Sequence, residues 1–262
     1  VSVVVIRRPV HEEGISLEEA KRQMDAYRTA RPPENSVTDG TGKRFLSMIG
    51  MGMGGGRQLT LEALEVLERS DIVFGASRML ADLAPWLHEK HQETYYQPEK
   101  ILDWLEEHKT CQQAVVVCSG DTGFYSGSGS MMRELKARFG EVESSPYEVT
   151  VFPGISSVSA LAARFGISWD DACLASAHGR DCDAAALLKE HEKVFLLLDS
   201  SMNLRQICQI LKDADMGNTR IYAGVRMGYE DERKTYGTAE EMTDIETNSL
   251  TAVFLEREKD ER

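Results

Sequence analysis

The sequence predicts an α/β protein of two α/β domains, the first organised around a largely parallel sheet. Three observations carry this. From residue 45 onward, short apolar runs of strand length alternate with stretches whose apolar residues recur at helical spacing. The first run ends in the glycine-rich turn Gly50-Met51-Gly52-Met53-Gly54-Gly55-Gly56, where a strand hands over to a helix. Two later runs end in comparable loops, Cys118-Ser119-Gly120-Asp121-Thr122-Gly123-Phe124-Tyr125 and Phe152-Pro153-Gly154-Ile155-Ser156-Ser157.

In chain order, residues 45–49, 72–74, 114–118 and 149–152 read as strands, with helices over 59–69, 101–108 and 126–139 between them. A further helix runs through 160–165. After a break at 168–171, strands return at 172–176, 194–198, 220–225 and 251–255, with a helix over 204–212. The break sets the domain boundary, giving a first domain over 45–168 and a second over 169–262. Ahead of both, 1–6 reads as a buried strand, and Ser16 and Glu19 have capping-box spacing before a helix that reaches 28. The Pro- and Gly-bearing stretch over 29–44 reads as a linker. One strand and one helix cannot bury a core alone, so 1–28 is expected to be the remnant of an upstream domain.

Composition narrows the class of function. The 262 residues suffice for two modest cores, and their net charge is −13. That acidity argues against nucleic acid or an anionic membrane as the main partner, because phosphate binding needs a basic surface. No apolar run approaches the ~20 residues of a membrane span, and no charged segment precedes a signal-like run. The five cysteines lack framework or zinc spacing. Free thiols, no metal site and a cytoplasmic location are therefore expected.

Gly50, Gly52 and Gly55 fit the dinucleotide fingerprint, but that pattern also needs an acidic residue at the end of the second strand. Asp71 precedes the strand over 72–74, and Gly75 stands where the acid belongs. A nicotinamide-dependent reductase is thus the main alternative from another enzyme class, and a glycine turn with no ligand is the plain one. In open parallel sheets, ligands bind outside the carboxyl ends of the strands, so the three loops should line one crevice.

Together these segments resemble the tetrapyrrole methylases and, within them, the precorrin-6Y/cobalt-precorrin-7 C5-methyltransferase branch. The matching residues are 49–54 with Leu59-Thr60-Leu61-Glu62-Ala63-Leu64 behind them, 119–125, 153–157 and Ser176-Ala177-His178-Gly179-Arg180, then Asp231-Glu232-Arg233 and Gly237-Thr238. The resemblance covers 45 to about 255. Three positions depart from the usual pattern: Thr122 replaces Pro, Val225 replaces a frequent Glu, and Met53-Gly54-Gly55 lacks the common Pro. The first departure is expected to loosen its loop.

The resemblance implies two α/β domains of the class III type, with S-adenosyl-L-methionine (SAM) in the cleft between them and a corrin precursor as substrate. It implies cofactor contacts at Gly52, Met53, Gly54, Gly120, Asp121, Phe124, Ser156, Ser157, Leu198, Met227 and Ala252. Asp121 is read as orienting the cofactor, with helix capping as its structural alternative. The substrate's carboxylates would meet His178, Arg180, Tyr125 and Arg57, with Arg78 and Arg226 as further cations. Asp121 and His178 are the candidate catalytic groups, although an enamine-like acceptor carbon needs no dedicated base. Methylation at another tetrapyrrole carbon, or a non-catalytic tetrapyrrole-binding module, would also fit these residues. A homodimer is expected, as is fusion to an upstream precorrin-6x reductase, whose closing strand and helix residues 1–28 resemble.

Overall fold

Leu46, Met48 and Ile49 lie in β1 (Arg44–Gly50), a strand paired on both sides and buried on both faces. A strand so placed reads as a continuous apolar run rather than an alternating one. The structure is a computed structural model that describes residues 42–54, 56–177 and 182–257. The expected strand over 1–6, the capped helix, most of the linker and the His178-Gly179-Arg180 segment lie outside the described residues.

After β1 come α1 (Leu61–Arg69), β2 (Ile72–Phe74), α2 (Ser77–Asp82) and β3 (His91–Glu93). They are followed by α3 (Pro98–Glu107), β4 (Gln113–Cys118), α4 (Ser128–Phe139) and β5 (Tyr147–Phe152). The five strands form one sheet in the order β3-β2-β4-β1-β5, and every pair is parallel. Side chains alternate between its faces. Leu46, Met48, Ala114 and Val116 pack with Ile101, Leu102 and Leu105 of α3 and Met131 and Leu135 of α4. Ile49, Val115 and Val117 pack on the other face with Ala63 and Leu67 of α1 and Met79 and Leu80 of α2.

Helix starts follow local chemistry. The Thr60 hydroxyl accepts from the Ala63 amide at 3.1 Å, so α1 begins after Thr60 rather than at Leu59. Pro98 occupies the first turn of α3 and starts it earlier than its apolar periodicity indicates.

The second sheet contains β6 (Cys173–Ser176), β7 (Lys193–Leu197), β8 (Arg220–Val225), β9 (Arg233–Thr238) and β10 (Thr251–Glu256). Its order is β6-β7-β10-β8-β9. Only β6 and β7 pair in parallel, because β10 enters antiparallel between β7 and β8 and β9 folds back on β8. β9 carries Arg233 and Lys234 on a polar edge and so lacks the apolar pattern that marks the other strands. Helices α6 (Ala184–Glu190) and α7 (Leu204–Asp213) bury Leu188, Leu204, Ile207 and Leu211 against one face of this sheet.

Helix α5 (Ser157–Phe165) covers the opposite face. It leaves the end of β5, and its Val158 and Leu161 pack with Phe195, Met227, Ala252 and Phe254 of the second sheet. Burying each such side chain contributes about 1.5–3 kcal/mol, so this helix anchors the second sheet beside the strand ends of the first. Met53 and Phe124 pack at the margin of the same core.

Candidate active site

The three loops that leave β1, β4 and β5 meet backbone to backbone. Gly52 and Gly120 exchange amide hydrogen bonds at 3.1 and 3.0 Å. A Cβ on Gly154 would lie 2.3 Å from the Gly120 oxygen, and one on Gly50 would lie 2.6 Å from the Gly154 nitrogen. These glycines therefore permit loop-on-loop contact, which no larger residue allows.

The same contacts weigh against the dinucleotide alternative. The amides of Met51, Gly52 and Met53 donate to Cys118 O, Gly120 O and Gln58 Oε1, so none is directed at a pyrophosphate. Asp71 lies at the opening end of β2, where its carboxylate accepts from the Gln112 and Gln113 amides at 2.7 and 2.9 Å.

Asp121 joins two loops. Its Oδ1 accepts from the Gly123 amide at 2.8 Å and its Oδ2 from the Gly154 amide at 2.9 Å. It does not cap α4, whose N-cap is Gly127. Thr122 does not loosen this loop either. It is buried, and its hydroxyl donates to Phe152 O at 3.2 Å, tying the loop to the end of β5.

Above these loops, β7 and β8 end and β10 begins, leaving a cavity of about 360 Å³ between the two sheets. From the first sheet its wall takes Met53, Gly120, Asp121, Phe124, Tyr125 and Ser157. From the second it takes Ser176, Leu197, Leu198, Met227, Leu250 and Ala252. The sequence-derived cofactor residues Met53, Gly120, Asp121, Phe124, Ser157, Leu198, Met227 and Ala252 thus surround one hollow. Gly52, Gly54 and Ser156 are not part of its wall. Gly52 bridges to Gly120, Gly54 packs under the Tyr229 ring, and the Ser156 hydroxyl caps α5 by accepting from the Ser159 amide.

Of the residues expected to meet substrate, Tyr125 lines the cavity, with its backbone held at φ 48°. Its hydroxyl donates to Leu174 O at 3.1 Å and so bridges the two sheets. His178 and Arg180 lie outside the described residues. Arg57 is exposed and does not line this cavity. Arg226 is also outside the wall. Its Nε donates to Asp231 at 2.7 Å, and its guanidinium sits 4.5 Å from the Tyr229 ring centre. Arg78 does line the cavity.

Tyr229 was not marked by any sequence pattern. It completes the wall because Gly228 turns at φ 85° against the Met53 carbonyl, and its hydroxyl donates to Asp82 at 2.6 Å. Burial, followed by that hydrogen bond, pushes its phenol above the ordinary value. Burial likewise raises the Cys118 thiol, which keeps it neutral beside the site.

Residues 46–243 match the family model for tetrapyrrole (corrin/porphyrin) methylases. A cobalt-precorrin-7 C(5)-methyltransferase of Salmonella typhimurium is 32% identical over 189 residues, spanning 72% of this chain and 88% of that protein. The crystal structure of a cobalamin-biosynthesis precorrin-6Y methylase from Archaeoglobus fulgidus matches with a TM-score of 0.60 at 24% identity, covering 82% of this chain and 99% of that one. A uroporphyrin-III C-methyltransferase from Thermus thermophilus, solved with S-adenosyl homocysteine, matches with a TM-score of 0.63 at 20% identity, covering 81% and 97%. These structural likenesses carry the fold, and the match of the family model across both sheets carries the kinship. The chain belongs to the tetrapyrrole methylases.

Proposed function

We propose that this protein is a SAM-dependent C-methyltransferase that methylates C5 of cobalt-precorrin-7 in cobalamin biosynthesis. The observation that carries this reading is the cavity between the sheets, walled by the loops after β1 and β4, the first turn of α5 and the ends of β7, β8 and β10. Its volume of about 360 Å³ falls within the range of small-molecule sites. Its chemistry also suits the cofactor: Met53, Phe124, Leu198 and Met227 offer apolar surface for an adenine, and Asp121 and Ser157 offer polar groups for the ribose and methionine ends.

SAM supplies an electrophilic methyl group on a sulfonium sulfur. The chain's task is then positioning, since an aligned donor and acceptor can lower a barrier by several kcal/mol, up to about 7–11. Asp121 suits orientation rather than proton removal, because both its oxygens already accept backbone N–H groups and hold the loop rigid. The acceptor meso carbon of a reduced tetrapyrrole is itself enamine-like and needs no base from the protein. The 32% identity to the Salmonella enzyme supports the C5 assignment. The family resemblance favours a homodimer, and the likeness of residues 1–28 to the closing strand and helix of a precorrin-6x reductase favours such a domain upstream in the native polypeptide.

Calorimetry should show S-adenosyl homocysteine binding and no binding of NADPH. Incubation with SAM and a set of corrin intermediates should give the mass gain of one methyl, and NMR should place it at C5. A methyl on another carbon would retain the family and overturn the branch. No binding of either adenosyl compound would overturn the enzyme reading.

A further inference from the structure

Arg78 is the only cation among the described residues that line the cavity, in a chain of net charge −13. It stands in the first turn of α2, and its guanidinium donates to Asp82, one turn later, at 3.2 Å and to the Tyr229 hydroxyl. Its side chain is 42% exposed. An exposed i,i+4 pair is weak and competes poorly with a carboxylate presented bidentately in a cleft. Nor would Asp82 be abandoned if the guanidinium turned away, because the Tyr229 hydroxyl also donates to it at 2.6 Å.

The placement of Arg78 indicates which carboxylate it faces. Met53, Asp121 and Ser157 follow β1, β4 and β5, whereas Arg78 follows β2, on the opposite side of β4 in the sheet. A second cavity of about 390 Å³ opens on that side, lined by Ala76, Met79 and Tyr96, and it shares Ser119 and Tyr125 with the first. Arg78 and Met79 are neighbours on α2, one in the wall of each cavity. Arg78 therefore stands where the donor cavity gives onto further volume. No Arg, Lys or His lines the second cavity among the described residues, so this space suits an uncharged edge of a macrocycle and leaves acidic substituents to Arg78.

Resting on the function proposed above, we infer that Arg78 is a specificity-determining residue that exchanges Asp82 for a peripheral carboxylate of the tetrapyrrole substrate. The test uses cobyrinic acid, a stable corrin with free side-chain carboxylates, and its full methyl ester. Both are titrated by fluorescence quenching against the wild type, Arg78→Gln and Arg78→Lys, with S-adenosyl homocysteine affinity measured in parallel and folding checked by circular dichroism. Arg78→Gln should weaken cobyrinic acid by about tenfold or more. Arg78→Lys should recover part of that loss, and the ester should bind all three proteins alike. Adenosyl affinity should change by less than about twofold. The proposal is overturned if adenosyl affinity falls while cobyrinic acid binding holds, which would make Arg78 a donor ligand. It is equally overturned if the variants still discriminate acid from ester as the wild type does, or if the wild type does not bind cobyrinic acid. Loss of adenosyl binding in the wild type itself would instead sink the function on which the inference rests.

Discussion

The Asp121 carboxylate accepts the Gly154 amide at 2.9 Å, joining loops that lie 33 residues apart in the chain. With the Gly123 amide on its other oxygen, one acid holds the floor of the cavity in a single arrangement. Asp121→Asn leaves one carbonyl oxygen for two amides and turns an NH₂ toward the other. The variant should lose about 1–3 kcal/mol of stability in urea unfolding. Its affinity for S-adenosyl homocysteine should fall about tenfold by calorimetry. Unchanged affinity would show that the loop lock does not serve the cavity.

Two glycine substitutions should act in opposite directions. Gly154→Ala places a methyl 2.3 Å from the Gly120 oxygen, where neither backbone can yield, and should cost more than about 3 kcal/mol or prevent folding. A Cβ on Gly129, in the first turn of α4, would meet nothing nearer than the flexible end of Arg133 at 3.6 Å. Gly129→Ala should stabilise the protein by about 0.5–1 kcal/mol. Thermal melts of the two variants compare the signs directly.

Glu232 links stability to pH. Its carboxylate pairs with Arg164 of α5 through Nε and through Nη2, the latter at 2.6 Å, and accepts the Gly228 amide at 2.7 Å. The Arg164 hydrogen bond is the main reason its carboxyl titrates below the ordinary value of 4.5. A depressed folded value means the stabilisation is present above 4.5 and is lost as pH falls through the folded value. Glu232→Gln should therefore cost about 1–3 kcal/mol near neutral pH, and its deficit should shrink as the medium is acidified. A deficit that stayed constant into strong acid would show that the charge on Glu232 is not its cause.

Ser156 separates helix capping from cofactor binding. Its hydroxyl accepts from the Ser159 amide at 3.3 Å, whereas the neighbouring Ser157 lines the cavity. Ser156→Ala should cost about 1 kcal/mol in urea unfolding while adenosyl affinity stays level. A fall in affinity that outran the loss of stability would place the hydroxyl on the cofactor.

Much of the architecture was legible because it is written locally. The apolar run in β1, the glycine turn behind it and the loops at Asp121 and Ser156 each stand within a few neighbouring residues. Elements with weaker local signatures were not: the polar edge strand β9, the three-residue β3 and the short helices α2 and α6. Tyr229 was hidden for the same reason, since nothing around it in the chain marks a residue that reaches Asp82 from 147 positions away.

The sequence by itself determined the α/β class, the order of strand, loop and helix, and the family, because periodicity and turn chemistry act over short spans. Only the tertiary structure decided how those parts are used. It showed that Gly50 and Gly52 serve loop contact rather than a phosphate, that Gln58 occupies the Met53 amide, and that Thr122 ties its loop to Phe152. It also brought Arg78 into the cavity wall and left Arg57 outside. The Gln58 contact spans only five residues, but the others join groups far apart in the chain: the loop contacts need the strands of the first sheet side by side, and the cavity wall needs the two sheets packed through α5.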